Sequence, residues 1–322
     1  LGSDIDGEAD TDYSGVSVSM NSDGTRVAIG AHYNDGENKT NSGHVRVYQY
    51  NGSAWTQLGS DIDGEAADDN SGQPVSLSSD GTIVAIGAVN NDGNGTSNSG
   101  HVRVYQYSSG NWSQLGSDID GEAADDQSGW SVSLSSDGTI VAIGAPQWVK
   151  RLNNIGHVGV YKYRIVSQNE WNNTEINIVK GDDTKYNANK KYWIQLGTDI
   201  YGEYGDRSGD SVSLSSDGTI VAIGAHNNDG NNKEYSGLVR VYEYRTVTQN
   251  EWGNTNINIV KRDDTTYEST TNYWIQLGTD INGEAAYDNS GYSVSLDSDG
   301  KTVAIGAHKN IGDNGANNGH VR

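Results

Sequence analysis

Apolar and polar positions alternate along the whole chain, in short runs separated by turn residues. In the first run, Val18 and Met20 alternate with Ser17 and Ser19, and the turn sequence SDGT follows. The runs VAIGA, HVRVYQY and WTQLGSDI come next, with a loop rich in Gly, Asn and Asp between the first two. This period-two alternation predicts antiparallel β-strands throughout, and no stretch has a long enough 3.6-residue period to predict a helix.

The same four strand patterns occur five times. The fifteen residues SVSLSSDGTIVAIGA stand at 131–145 and again at 211–225. The expected units are residues 1–57, 58–114, 115–195, 196–276 and 277–322. Four antiparallel strands per repeat are typical of a propeller blade. The sequence therefore predicts an all-β fold, a single β-propeller of five four-stranded blades. A linear β-solenoid or a string of small sandwiches is the alternative.

The two ends of the chain suggest how the ring closes. Unit five stops after its third strand, at GHVR, while the chain starts with LGSDI, the end of a fourth strand. Residues 1–6 are therefore expected to pair with residues 319–322, which would remove the exposed edges of the sheets. The missing initiator Met indicates a processed or partial segment. Six or seven blades are the alternative if the natural chain is longer.

Units three and four each carry an insertion between their third and fourth strands. The inserted segments, about 163–193 and 244–274, are nearly identical and contain alternating runs, which predict that the two strands continue outward as hairpin arms. Exposed apolar side chains on an isolated hairpin need covering, so we expect the arms to pack on each other or on another chain. The candidate interaction residues are Trp171, Ile176, Ile178, Trp252, Ile257 and Ile259.

Part of unit three resembles a known family. The segments SGWSVSLSSDGTIVAIGAP and GHVGVYKY, matched at Gly129–Pro146 and Gly156–Tyr163, are similar to the FG-GAP repeat of integrin-α-type propellers. The other four units carry weaker copies that lack the proline. The resemblance implies a β-propeller and extracellular adhesion or ligand binding. The calcium motif DxDxDG of that family is replaced here by SSDG, as at Ser135–Gly138, which has too few oxygen ligands for calcium.

The charge balance excludes several partners. The chain has 21 Lys and Arg against 43 Asp and Glu, for a formal net charge of -22. Nucleic acid and anionic membrane surfaces need a cationic face, so neither is an expected partner. No apolar run is long enough to insert into a membrane. With no Cys, the chain has no disulfide, no thiolate metal site and no Cys nucleophile.

Acidic residues recur at fixed places in every unit. They could hold Ca²⁺, or they could cap turns and pair with arginines in the third strand. We favour the second interpretation, so no metal site and no other cofactor is predicted, although calcium stays open. The acidic positions are Asp4, Asp61, Asp118, Asp199 and Asp280; Glu8, Glu65, Glu122, Glu203 and Glu284; and Asp12, Asp69, Asp126, Asp206 and Asp288. The arginines are Arg46, Arg103, Arg240 and Arg322, with Gly159 at this position in unit three.

Other polar residues give weaker indications. Four histidines at the start of third strands, each in a separate blade, are expected to be structural: His44, His101, His157 and His320. No arrangement of Ser, His and Asp stands out, so no catalytic residue is predicted. N-x-S/T sequons in predicted loops or hairpin tips give the glycosylation candidates Asn38, Asn51, Asn94, Asn111 and Asn172.

The function predicted from the sequence is a non-enzymatic extracellular or cell-surface module, an adhesin, surface coat or filament subunit. It would bind a protein partner or self-assemble through the arms. The alternative is a propeller lectin that binds glycans on an aromatic floor. Its candidate platforms are Trp55, Trp112, Trp193 and Trp274, although core packing explains these residues equally well. An enzyme is the third possibility.

Overall fold

A computed structural model describes residues 2–36, 39–146, 155–261, 264–310 and 318–322. These residues form five antiparallel sheets, one for each repeat. Two short α-helices lie in the insertions of units three and four. No helix in the described ranges is long and apolar enough to cross a membrane.

Each sheet is one blade. Blade one contains β1 (Ser17–Met20), β2 (Arg26–Ala31), β3 (His44–Tyr50), β4 (Trp55–Gln57) and β5 (Ile62–Asp63). Blade two contains β6 (Ser71–Leu77), β7 (Ile83–Ala88), β8 (His101–Ser108), β9 (Asn111–Gln114) and β10 (Ile119–Asp120). Blade three contains β11 (Ser131–Leu134), β12 (Ile140–Ala145), β13 (His157–Ile165), β14 (Ile178–Val179), β15 (Lys191–Gln195) and β16 (Ile200–Tyr201). Blade four contains β17 (Ser211–Leu214), β18 (Ile220–Ala225), β19 (Leu238–Thr246), β20 (Ile259–Val260), β21 (Asn272–Gln276) and β22 (Ile281–Asn282). Blade five contains β23 (Ser290–Leu296), β24 (Val303–Ala307) and β25 (His320–Val321).

The strands of a blade follow one another in sheet order, from β1 on the inside to β4 on the outside in blade one. A short fifth strand, β5, comes from the start of the next unit and pairs with the third strand, Ile62 opposite Val45. This pairing ties each unit to the blade before it. Blades one and two therefore hold five strands, one more than the four predicted from the sequence, blades three and four hold six, and three strands are described in blade five.

The innermost strands of all five blades converge on one axis. Their last apolar side chains line a single opening of about 270 Å³: Met20, Leu77, Leu134, Leu214 and Leu296. Successive blades are also joined there by backbone hydrogen bonds, such as the one from the amide of Ser22 to the carbonyl of Ser79, at 3.0 Å. Five sheets around a common axis make a β-propeller, so the predicted fold is confirmed.

Small side chains are required where neighbouring blades meet. A Cβ on Gly144 would lie only 2.1 Å from the carbonyl oxygen of Gly209 in the next blade. The hydroxyl of Ser131 donates a hydrogen bond to that same oxygen, at 2.8 Å. Gly30 approaches Gly72 in the same way, and Gly224 approaches Gly291. The Ala-x-Gly and Ser-x-Ser patterns of the sequence thus allow close contact between blades.

The seam between blade five and blade one lacks these contacts. A Cβ on Gly306 in blade five would meet only Ser293 of its own blade. Met20 in blade one is 56% exposed, whereas the equivalent Leu77 in blade two is 8% exposed. The axial chain of hydrogen bonds reaches Ser298 and, within the described ranges, does not return to Ser22.

The predicted closure by the two chain ends is therefore wrong. β25 pairs with β24, and residues 2–6 form no strand. Asp6 keeps the contact with its own blade, because its carbonyl accepts a 2.8 Å hydrogen bond from Arg46, as that of Asp63 does from Arg103 in blade two. It lacks the second contact that Asp63 makes, the pairing with the third strand of the preceding blade.

The two insertions are not the hairpin arms that the sequence predicts. β13 and β15 extend only as far as the pair Ile165 and Lys191. Ser167 then caps helix α1 (Gln168–Asn172) in a reciprocal hydrogen-bonded pair with Glu170. Such a capping box starts a helix and ends the strand. Blade four repeats the arrangement with α2 (Gln249–Trp252).

Each insertion covers its own apolar residues. In blade three, Trp171 and Ile178 are buried, and Ile176 packs beside them against the outer strand β15. In blade four, Ile259 is buried, with Trp252 and Ile257 packed around it against β21. The expected exposure of these six side chains is wrong, because the insertion folds back onto its own blade and supplies its own small core.

Candidate functional site

Arginine–carboxylate pairs recur between blades, as the sequence predicts. Arg240 in blade four is the fullest case: its guanidinium lies 2.8 Å from Glu203, 3.2 Å from Asp206 and 3.0 Å from Asp280. The corresponding distances are 3.4 Å for Arg46 and Glu8, 3.3 Å for Arg103 and Glu65, and 3.8 Å for Arg322 and Glu284. A partly buried guanidinium with carboxylate partners is a structural device that fixes the start of one unit on the blade.

Blade three departs from this arrangement because Gly159 replaces the arginine. Glu122 and Asp199 remain and are hydrogen-bonded to each other. Burial raises the pKa of Asp199 to about 6, and burial together with the charge of Asp199 raises the pKa of Glu122. Burial also lowers the pKa of the neighbouring His157. The pocket thus holds two neighbouring carboxyl groups without the guanidinium that neutralises them in the other blades.

Tyr161 turns into the space that the arginine side chain would fill. A Cβ on Gly159 would lie 3.2 Å from both the hydroxyl of Tyr161 and Oδ1 of Asp199. Glu122 and Tyr161 also line a larger cleft of about 620 Å³ between blades two and three. Residues of the insertion, among them Asn177 and Lys180, form one wall of that cleft.

Two further groups of His and carboxylate residues lie in blades one and two. Glu8, His44 and Asp61 place ligand atoms within 4.8 Å of one another, as do Glu65, His101 and Asp118. In both groups the glutamate is already paired with an arginine, at the distances given above. A cation in either group would therefore have to compete with a guanidinium.

A different cluster lies at the other end of the innermost strands. Oδ2 of Asp210 is 2.5 Å from Nδ1 of His226, and Oδ1 is 3.0 Å from the guanidinium of Arg207. The distances are those of ion pairs, although the angles do not meet hydrogen-bond geometry. Asp210 is 9% exposed, so its carboxylate is held between Arg207 and His226 with little access to water.

Aromatic rings surround this cluster. Tyr292 packs edge-on against His226, with ring centroids 5.5 Å apart, and lies 4.2 Å from the ring of His308. The guanidinium of Arg207 lies 5.5 Å from the ring centroid of Trp130. These residues belong to blades three, four and five: Trp130, Arg207 and Asp210 precede innermost strands, Tyr292 lies in one, and His226 and His308 follow second strands. We refer to Arg207, Asp210, His226 and Tyr292 as the axial cluster.

Strand register brings the axial cluster together. Ser211 pairs with Gly224, so Asp210 and His226 fall beside each other at the end of the β17–β18 hairpin. The sequence analysis missed this cluster because it looked for constant positions. The cluster is indicated in the sequence by a variable position instead. The residue at the start of the innermost strand differs in every unit, being Val16, Gln73, Trp130, Asp210 or Tyr292.

The sequon asparagines are spread over the surface and do not form a site. Asn51, Asn111 and Asn172 are exposed. Asn51 accepts hydrogen bonds from the amides of Ser53 and Ala54 within its turn. The side chain of Asn94 and the whole of Asn38 lie outside the described residues. Glycosylation at these five positions stays a prediction.

The tryptophans considered as sugar platforms are packing residues. Trp193 and Trp274 are fully buried. The indole N–H of Trp193 donates to the carbonyl of Leu115 at 2.7 Å, and Trp112 makes the same bond to Leu58. Such bonds anchor the start of each unit to the outer part of the blade that follows.

The carboxylates of the SSDG turns accept hydrogen bonds within the turn. Asp137, for example, accepts them from the amide of Thr139 and the hydroxyl of Ser135.

Comparison with known proteins gives similarity of fold. No protein-family model matches the chain, and no curated protein sequence does. A protein of Bacteroides uniformis assigned as a 6-phosphogluconolactonase is 12% identical, with a TM-score of 0.42; the match covers 71% of this chain and 50% of that one. The periplasmic gluconolactonase of Pseudomonas aeruginosa is 13% identical, with a TM-score of 0.45, over 90% and 64%. Hydrazine synthase of Kuenenia stuttgartiensis is 13% identical, with a TM-score of 0.40, over 95% and 82%.

Two of the three matched proteins are lactonases by name, at variance with the non-enzymatic module predicted from the sequence. Of the four candidate sugar platforms, Trp193 and Trp274 are inaccessible, while Trp55 and Trp112 are half-buried. The chain spans half the length of the Bacteroides protein and 64% of the Pseudomonas protein. At 12–13% identity the likeness concerns the fold alone, and any chemistry must come from the residues of this chain.

Proposed function

We propose that the protein is a hydrolase that cleaves an ester or lactone bond with water, and that His226 of the axial cluster is the general base. The observation that carries this proposal is the contact between Asp210 and Nδ1 of His226, at 2.5 Å. A buried carboxylate at one imidazole nitrogen is the arrangement that orients a histidine for proton transfer.

The geometry assigns a role to each nitrogen of His226. Asp210 lies at Nδ1, so the proposal assigns the proton to Nδ1 and makes Nε2 the basic atom. The side chain of His226 is 15% exposed, which gives a water molecule access to it. The water oxygen bonds to the acyl carbon while Nε2 takes one of its protons. The same proton then passes to the leaving alkoxide as the carbon–oxygen bond breaks.

Asp210 also compensates the positive charge that forms on His226 in this step. Its carboxylate stabilises the imidazolium that forms when His226 accepts the proton. Arg207, at 3.0 Å, is a second ion-pair partner of the same carboxylate. The exposed ring of Tyr292 beside His226 offers an apolar surface for the substrate. The chain has no Cys, so a water nucleophile replaces a thiolate in this scheme.

The test is a hydrolysis assay on a panel of sugar lactones and simple esters. The reaction is monitored through the protons that hydrolysis releases. The lactonase names among the fold matches place lactones first on that panel. His226→Ala and Asp210→Asn are each expected to lower kcat by about 10²–10⁴-fold, the usual contribution of a general base. The asparagine variant keeps the shape of the side chain and removes its charge.

The chain offers a matched control in blade one. His32 occupies the position of His226, but Val16 stands where Asp210 would be. His32→Ala is expected to leave the rate unchanged. Activity that survives in His226→Ala, or an equal loss in His32→Ala, would refute the assignment. If the wild-type protein hydrolyses no compound of the panel, the proposed function is refuted.

A further inference from the structure

The open seam between blades five and one exposes the two halves of a contact that is buried at the closed seams, those between consecutive blades from one to five. At a closed seam the inner strand turns its serines toward the following blade and its larger apolar side chains toward the preceding one. Val18 and Met20 therefore face the open seam from blade one. Val18 is 63% exposed, whereas its equivalent in blade two, Val75, is 9% exposed.

Blade five presents the opposite half of the contact, which consists mainly of small residues. Ser295 and Ala304 are exposed, although Ala28, the equivalent of Ala304 in blade one, is fully buried against blade two. Val321 is 73% exposed, and its equivalent Val45 is fully buried. The open seam thus has one apolar face and one face of small residues, as each closed seam does.

Two hydrogen bonds recur between neighbouring blades at the closed seams. The hydroxyl of Ser211 donates to the carbonyl of Gly291 at 2.8 Å, and the hydroxyl of Ser213 accepts from the amide of Leu296 at 2.9 Å. The same pair of bonds joins blades one and two, and blades three and four.

The open seam holds the groups for both bonds, divided between its two faces. Blade five has Ser293 and Ser295 at the two serine positions, and blade one has Gly15 and Met20 at the positions of the carbonyl and the amide. Neither bond crosses the seam in the part of the chain that the structure describes. A Cβ on Gly15 would meet nothing within 4 Å, so the space around it is open.

A short strand is divided between the two ends in the same way. At the closed seam of blades one and two, the start of the second unit pairs with the third strand of blade one, Ile62 opposite Val45. Ile5–Asp6 has the same sequence pattern at the start of unit one, and His320–Val321 is the matching third strand in blade five. Among the described residues, β25 pairs only with β24, so its other edge can accept a strand.

We propose that the open seam is an interface between copies of this chain, in which blade one of one copy packs on blade five of the next. The repeat itself specifies this occupant, because each end carries the half that the other end lacks. Terminal units of repeat arrays usually have a polar outer face. Blade one instead keeps Val18 and Met20, and blade five keeps its small residues. The proposal is independent of the hydrolase function.

The first test is sedimentation equilibrium of the wild-type protein at about 1–200 μM, a range that covers weak and moderate affinities. The buffer contains about 0.15 M NaCl, because the net charge of -22 on each copy opposes association unless salt screens it. The average mass is expected to rise with concentration above that of one chain. The mass of a single chain at every concentration overturns the proposal.

Two variants block the two faces separately. Met20→Glu places a carboxylate on the blade-one face, and Ser295→Glu places one on the blade-five face. Both side chains are exposed in the single chain, so circular dichroism is expected to be unchanged. Each variant alone should associate at least about tenfold more weakly, because the interface would bury a carboxylate without a partner. Tyr204→Glu, at a 78% exposed position away from the seam, is the control and should associate like the wild type.

Mixing the two blocked variants tests the direction of the contact. Met20→Glu keeps an intact blade-five face and Ser295→Glu an intact blade-one face, so an equimolar mixture should form a dimer and nothing larger. A mixture that stays monomeric while the wild type associates overturns the proposal. So does wild-type association in either blocked variant, or an equal loss of association in Tyr204→Glu. At concentrations where the chains are separate the seam stays exposed, so unfolding measured there reports the single chain.

Discussion

Replacement of Gly144 by Ala tests how tightly the blades are packed. The new methyl group would lie 2.1 Å from the carbonyl oxygen of Gly209, whereas real contacts of this kind are at least about 3 Å. Blades three and four must therefore separate locally by about 1 Å. Overpacking of this kind costs about 1–3 kcal/mol. Loss of the 2.8 Å hydrogen bond from Ser131 to the same carbonyl would add about 1 kcal/mol.

Gly306→Ala is the matched control. Gly306 has the same position in blade five, and a Cβ there would meet the hydroxyl of Ser293, at 2.4 Å, just as one on Gly144 would meet the hydroxyl of Ser131, at 2.3 Å. Gly306 differs from Gly144 in that no backbone of a following blade lies close to it among the described residues. It is expected to cost less than about 1 kcal/mol, because a serine hydroxyl can rotate away and alanine restricts the unfolded chain.

The assay is urea unfolding followed by tryptophan fluorescence. With a slope of about 3 kcal/mol per molar urea, Gly144→Ala should lower the midpoint by about 0.7–1.3 M, and Gly306→Ala by less than about 0.3 M. An equal shift for the two variants would refute the reasoning. It would mean that another blade covers Gly306 as closely as Gly209 covers Gly144.

Three further predictions concern stability. Leu77→Ala should cost about 2–5 kcal/mol in urea unfolding, while Met20→Ala at the exposed seam should cost less than about 0.5 kcal/mol; similar losses would show that the seam is closed. Trp193→Phe leaves the carbonyl of Leu115 without its donor and should cost about 1–3 kcal/mol by the same measurement, whereas a neutral result would show that water replaces the indole. The hydrogen bond from Arg164 lowers the pKa of Glu170 from 4.5 to about 2, so its stabilising contribution is complete above pH 4.5 and is lost as the pH falls towards 2. Acid unfolding of Glu170→Gln should lack that part of the pH dependence, and an unchanged profile would contradict the assignment.

The β-structure was predictable from the sequence because its cause is local. Alternation at Val18 and Met20, followed by the turn at Gly24, specifies a hairpin without reference to the rest of the chain. The repeats then predict five such units. The need for a small residue at Gly144 also follows, since repeated blades must converge on an axis.

The insertions were mispredicted because two local signals compete there. The apolar alternation around Ile165 favours a strand, but Ser167 and Glu170 form a capping box that starts a helix. This signal is visible in the sequence and identical in kind at Thr248 and Glu251. The expectation of exposed tryptophans failed for the same reason, because a helix turns Trp171 back onto its own blade.

The candidate sites depend on three-dimensional contacts that the sequence pattern indicates less directly. Asp210 and His226 are brought together only by the register of one hairpin. Gly159 is visible as an exception in the repeat, but its consequence is not. The position of Tyr161 in this space and the burial that raises the pKa of Asp199 there depend on three-dimensional packing.

The uncovered seam has a thermodynamic consequence for the whole molecule. A closed ring distributes strain evenly, whereas an array with two free ends behaves like a short one-dimensional chain of coupled units, each held by its nearest neighbours. Local opening then starts at the ends, and blade five, with one neighbour and three described strands, is the weakest unit. Blade three has two blades on either side. Amide protons around its acidic pocket would therefore be among the last to exchange with solvent.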